Sequence, residues 1–141
     1  YFFNLHAVKL GGRFNHRLGL FESFLIKDNH LVNLDLAAAV ETAKAANIGP
    51  VEVEVETLDQ LEQAIGAGAD IVLLDNMEIE KIVEAIAIAK GKLEIEVSGG
   101  VNLDNVFEIA EAGPDRISTS AITQQAPAID FSITVASREN V

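Results

Sequence analysis

Val51-Glu52-Val53-Glu54-Val55-Glu56 alternates a β-branched residue with a carboxylate three times. Period-two alternation predicts a β-strand with its valines on one side and its glutamates on the other. If that strand is exposed on one side, the glutamates sit in water. If it is covered on both sides, they need cations, hydrogen-bond donors or a ligand, because an unpartnered buried carboxylate is costly.

The flanking sequence favours a covered strand. After it, Thr57-Leu58-Asp59-Gln60 has capping-box spacing and opens a helix that ends over Gly66 to Gly68. Asp70-Ile71-Val72-Leu73-Leu74-Asp75-Asn76 is a second short apolar strand, ending in an acid. Ile79, Ile82, Val83, Ile86 and Ala87 make one helical stripe and predict a helix over 78–89, closed by Lys90-Gly91. Residues 93–100 are a strand and turn, and 102–112 a helix capped by Asn102 and ended by Gly113-Pro114. A last strand over 115–120, a loop over 126–130 and an apolar tail over 131–135 follow.

On the amino-terminal side, Asn47 and Gly49-Pro50 stop an alanine-rich helix over 35–46. Residues 24–30 are expected to form a strand with its functional edge at the carboxyl end. Residues 14–20 are irregular and carry His16 and Arg17, and 1–9 are the tail of a helix broken by Gly11-Gly12.

Polar residues recur at matching points of these units. The spacing is 27 residues from Lys27 to Glu54, 21 to Asp75, 21 to Glu96 and 23 to Thr119. Regular strand-helix alternation predicts an α/β fold, a parallel βα-repeat forming a partial TIM-like barrel of about five units. Five strands leave closure incomplete and two edges unpaired. In a barrel, ligands bind at the carboxyl ends of the strands, where these polar residues fall.

The 141 residues, 49% hydrophobic, suit a single domain over 1–141. A net charge of -12 argues against nucleic-acid or anionic-membrane partners. No apolar run reaches the roughly 18 residues of a membrane span. The absence of cysteine suits the cytoplasm. Tyr1 at the start, with Met77 as the single methionine, predicts a fragment of a longer chain.

Three constellations could carry chemistry. Glu54, Asp75 and Glu96, with Glu52, Glu56 and Glu94 in phase, would form a hard oxygen site for magnesium if they share a lumen. Otherwise they are solvated strand acids or ion-pair partners of Lys27 and Arg17. His16, Arg17 and Lys27 form a cationic set suited to carboxylates or phosphates, unless His16 and Arg17 are simply exposed on their loop. His6 and His30 are read as packing or capping residues. Ser98-Gly99-Gly100, between a strand and a helix, could admit an anion to free backbone N–H groups or be an ordinary tight turn.

Gly11 to Leu20 with its Asn15-His16-Arg17, Leu25-Ile26-Lys27-Asp28-Asn29-His30, Val51 to Glu56, Leu73-Leu74-Asp75-Asn76, Ser98-Gly99-Gly100 and Ala126-Pro127-Ala128-Ile129-Asp130 resemble, in order and spacing, the carboxyl-terminal barrel domain of quinolinate phosphoribosyltransferase. The resemblance implies a glycosyltransferase of NAD biosynthesis. Quinolinate and phosphoribosyl pyrophosphate would give nicotinate mononucleotide, pyrophosphate and CO2 with Mg2+, in a cytoplasmic homodimer or higher homo-oligomer. It implies that His16, Arg17 and Lys27 hold the quinolinate carboxylates, and that Glu54 and Asp75 sit by the ribose hydroxyls and the metal. Lys27, Glu54 and Asp75 would be catalytic, and Ser98, Gly99, Gly100 and Ser120 would bind phosphate.

The family's amino-terminal domain and first barrel strand have no counterpart here, which implies that this chain alone is inactive. Arg13, Ser120 and Thr123-Gln124-Gln125 stand where the family has Gly, Gly and Thr-His-Ser. They motivate the alternative of a non-catalytic phosphate-binding remnant or subunit with the same fold.

Overall fold

The computed structural model describes residues 2–32 and 34–135. Helix α1 (Phe2–Leu10) leads through an irregular segment to β1 (Phe24–Ile26), a single helical turn α2 (Asp28–Leu31) and α3 (Leu36–Ala46). Then come β2 (Val51–Val55), α4 (Leu58–Ala67), β3 (Ile71–Asp75), α5 (Ile79–Ala89), β4 (Glu94–Ser98), α6 (Val106–Ala112), β5 (Arg116–Ile117) and α7 (Ala121–Gln124). All five strands are parallel and lie in chain order, so the sheet is an open run of βα units with β1 and β5 at its edges. Among the described residues, no helix is long and apolar enough to cross a membrane.

The alternation in β2 explains the layering. Val51, Val53 and Val55 are essentially inaccessible and pack in the main core with Val72, Leu74, Ile95 and Val97 from the next two strands. Onto this face α3 turns Leu36, Val40 and Ala43, α4 turns Leu61 and Ala64, and α5 turns Ile82, Ala85 and Ala89. The alanines let the helices lie close to the sheet and to one another. The opposite face carries Glu52, Glu54, Ile71, Leu73 and Glu96, and Ile71 and Leu73 are buried there, outside the main core cluster. The sheet is therefore covered on both faces over its centre, as parallel sheets require.

Several boundaries differ from expectation for local reasons. Residues 28–30 leave the strand because the Lys27 N–H donates to His30 Nδ1 at 2.9 Å, which turns the chain into α2 and makes His30 a capping residue. Helix α6 starts at Val106 rather than Asn102. Asn102 and Asn105 close a polar turn first, with the Asn102 N–H donating to Asn105 Oδ1 at 2.9 Å. On α5, Val83 is 51% exposed and Ala87 is also exposed, so the buried stripe runs through Ile82, Ala85 and Ala89. The last strand shortens to two residues, and the short helix α7 was not foreseen. Arg13 avoids the left-handed backbone region; its neighbour Gly12 takes the positive φ of 74°. Tyr1, counted with the first helix, lies outside the described residues.

Asp70 illustrates how successive units are tied together. Helix α4 ends at Gly68, whose φ of 78° suits glycine, and two residues later Asp70 accepts from the Val51 N–H at 2.9 Å and from Lys44 Nζ at 3.0 Å. Asp115, which follows Gly113 at the same spacing, accepts from the Ile95 N–H at 2.8 Å. Burial pushes the Asp70 carboxyl upward, but the Val51 N–H and the Lys44 ammonium outweigh it and hold it below its ordinary value. A depressed carboxylate stabilises the fold above its unfolded pKa and loses that contribution as pH falls through its folded pKa. Asp70→Asn is therefore expected to flatten the acid limb of a stability-versus-pH curve measured by urea unfolding. If that limb is unchanged, the proposed contribution of Asp70 is wrong.

Candidate active site

The carboxylate face of the sheet is deepest at its centre and opens toward the carboxyl ends of the strands. Along β2 the glutamates grade outward: Glu52 is 4% exposed, the Glu54 side chain is 14% exposed, and Glu56 lies in solvent. Lys27, just past β1, ion-pairs directly with Glu54. The β1–β2 register places Ile26 beside Val53, so Lys27 follows at the level of Glu54, and the pair is set by strand geometry. Glu54 lies opposite Leu73, with Asp75 one two-residue step further along the same face of β3 and paired in register with Ser98 of β4. Lys27, Glu54, Asp75 and Ser98 thus line one rim.

The rim continues through the turn after β4. Gly99 has a φ of 83° and Gly100 a φ of 62°. A Cβ at Gly99 would lie 2.6 Å from the Asn76 backbone nitrogen and 2.5 Å from its side-chain Cγ. Asn76 is itself left-handed, with a φ of 51°, and its N–H donates to the Ser98 carbonyl at 3.2 Å. Its side-chain amide donates to Asp75 Oδ2 at 3.0 Å. The acid-bearing end of β3 and the glycine turn after β4 are therefore fitted against each other at backbone distance.

One layer below, Glu52 and Glu96 are the two buried charged residues among those described. His16 descends from the irregular segment between α1 and β1 and places Nε2 3.3 Å from Glu52 and 3.6 Å from Glu96. The three ligand atoms lie within 4.8 Å of one another, and a protonated imidazole supplies the positive charge the acids require. The hydrogen bond to Glu52 raises the His16 pKa, burial opposes that, the charges of Glu52 and Glu96 add to it, and the neighbouring Arg17 subtracts. Ser118 donates its hydroxyl to Glu96. Among the described residues Arg17 forms no ion pair with an acid; its guanidinium donates to the Ser23 carbonyl at 3.0 Å. Ser120 sits at the start of α7, where its carbonyl accepts from Thr123 and Gln124.

The family model described as "Quinolinate phosphoribosyl transferase, C-terminal domain" matches residues 2–134. The chain belongs to this family. A quinolinate phosphoribosyl transferase barrel domain accounts for the open βα run, since the similar solved structures carry it as part of a longer chain. The nicotinate-nucleotide pyrophosphorylase of Francisella tularensis is 49% identical and superposes with a TM-score of 0.85 over 92% of this chain and 48% of that one. The nicotinate-nucleotide pyrophosphorylase [carboxylating] of Rattus norvegicus is 40% identical over 134 residues, which are 91% of this chain and 45% of the rat protein. A probable nicotinate-nucleotide pyrophosphorylase [carboxylating] of Bacillus subtilis is 34% identical over 133 residues, 46% of its length. The chain thus spans about half the length of the curated relatives it matches. Within this quinolinate phosphoribosyl transferase domain, sequence reasoning did not assign roles to Asn76 and Ser118 or foresee that Glu52 and Glu96 meet at His16. The phase of Glu52 and Glu96 with Glu54 was the available signal for those two acids.

Proposed function

We propose that this domain forms the barrel part of a quinolinate phosphoribosyltransferase active site. It would join quinolinate to phosphoribosyl pyrophosphate and release pyrophosphate and CO2 to give nicotinate mononucleotide. The observation that carries this reading is the rim itself, where the Lys27–Glu54 pair, Asp75 and the Ser98-Gly99-Gly100 turn share the carboxyl ends of adjacent strands. In this reading His16, Arg17 and Lys27 hold the carboxylates of quinolinate. Ser98, Gly99, Gly100 and Ser120 take the 5-phosphate, and Glu54 and Asp75 face the ribose. A carboxylate beside the ribose stabilises positive charge growing at the anomeric carbon, and a rigid rim orients the two reactants.

Magnesium takes hard oxygen ligands shared with substrate phosphates, and the carboxylates of Glu54 and Asp75 fit that preference. When bound, it would neutralise the leaving pyrophosphate. The reaction belongs in the cytoplasm, in a homodimer or higher homo-oligomer in which residues 1–141 act as one partial-barrel domain.

Calorimetry with phosphoribosyl pyrophosphate and Mg2+ on this chain, beside a turnover assay on the full-length protein, tests the proposal. Binding and turnover that both fall in Asp75→Asn are expected. Turnover indifferent to Asp75→Asn would overturn it. Binding without any turnover would instead favour a non-catalytic phosphate-binding subunit, the reading that Arg13, Ser120 and Gln124 motivate.

A further inference from the structure

The two buried acids have no role in the rim chemistry above. Glu52 and Glu96 are 4% and 2% exposed, on the second and fourth strands, flanking the lumen-side residues Ile71 and Leu73 of β3. Burying two carboxylates is unfavourable unless something meets them. Both reach the same group, Nε2 of His16, and Ser118 adds a hydroxyl to Glu96. The second oxygen of Glu52, Oε1, is buried without a hydrogen-bond partner. The local balance is thus two acids to one imidazole, and no other described residue forms an ion pair with either acid.

We infer that Glu52 and Glu96 are positioning residues that hold His16 as an imidazolium with Nε2 anchored, leaving its Nδ1–H as the donor for a carboxylate ligand. The inference rests on the reading above in which His16 meets quinolinate, and it adds the residues that make His16 a cation there. A lone imidazole is largely neutral near neutral pH and would be a poor anion site. Two carboxylates at one nitrogen favour the charged form, as the raised pKa of His16 reflects. The charged groups facing the ring are Glu52 from β2 and Glu96 from β4, with Arg17 beside it in sequence opposing them. A raised pKa means the imidazolium, and the ligand affinity it confers, extends to higher pH than in a free imidazole and is lost as pH rises through that folded value.

The experiment follows the His16 ring by 15N and 1H NMR across pH in the chain, with Glu52→Gln and Glu96→Gln as isosteric variants and Glu52→Asp as a partial rescue. Quinolinate binding is measured in parallel by calorimetry on the full-length protein. The expected result is a charged ring at neutral pH in the unaltered chain and titration at lower pH in both glutamine variants. Quinolinate binding should weaken about tenfold at neutral pH in Glu52→Gln, the difference between a charged and a neutral hydrogen bond, with part of the loss restored in Glu52→Asp.

A neutral ring in the unaltered chain at neutral pH would overturn the anchoring without any variant, so failure of a variant to fold does not block the test. An unchanged titration in both folded glutamine variants would also overturn it. If the ring shows the expected titration but the full-length protein binds no quinolinate at any pH, the ligand role and the function reading fail, while the anchoring of His16 stands on the titration.

Discussion

Replacing Lys27 by methionine is expected to lower kcat/KM for nicotinate mononucleotide formation at least about 100-fold, the scale of removing one charged group from a transition-state site. Lys27 is ion-paired with the rim acid Glu54, and its side chain stays about 42% exposed at the carboxyl end of the sheet. Methionine keeps the stem and removes the charge. The same change leaves a carboxylate that is 14% exposed without its cation, expected to cost roughly 1–3 kcal/mol of stability. The two effects separate in the double variant Lys27→Met/Glu54→Gln, which should regain most of the stability in urea unfolding and none of the turnover. A single variant with near-normal kcat/KM would show that Lys27 serves Glu54 alone.

The second large effect belongs to the turn. Gly99→Ala is expected to lose at least about 2 kcal/mol of stability and the affinity for phosphoribosyl pyrophosphate together. A left-handed backbone is already unfavourable for alanine. Here the added carbon would also meet the Asn76 backbone nitrogen at 2.6 Å, an atom that cannot swing aside as a side-chain end could. Gly91→Ala is the comparison, because Gly91 has a similar φ of 74° with nothing within 4 Å of an added Cβ. It should pay only the conformational part and leave ligand binding unchanged. Equal losses in thermal melts of the two variants would mean that the contact between Asn76 and Gly99 does not matter. A Gly99→Ala chain that binds phosphoribosyl pyrophosphate normally would remove the turn from the phosphate site.

The Asn76–Gly99 contact also shows where linear reading stops. Leu73-Leu74-Asp75-Asn76 and Ser98-Gly99-Gly100 were each legible as a strand end and a turn. Their mutual fit depends on two strands lying side by side in register, with Asp75 beside Ser98. The His16 triad is a stronger case. Thirty-six positions separate His16 from Glu52 and eighty separate it from Glu96, and an irregular segment has no periodicity from which a direction could be read. Arg17, its neighbour, bonds a backbone carbonyl instead of an acid, for which the sequence held no signal.

By itself, the sequence determined the repeating units and their order. Alternation in Val51–Val55, the capping box at Thr57 and Gln60, and the glycine stops at Gly68 and Gly113 are local devices that act within a few residues. It also determined which side of β2 is acidic, because the side-chain period of a strand is two. Tertiary structure alone decided what those acids face. Glu54 meets Lys27, Glu52 and Glu96 converge on His16, and Glu94 pairs with Arg116. Burial is a property of the packed sheet and its covering segment, so a carboxylate two residues further along the same face of β4 can pass from 52% side-chain exposure at Glu94 to 2% at Glu96 with no change in the local pattern.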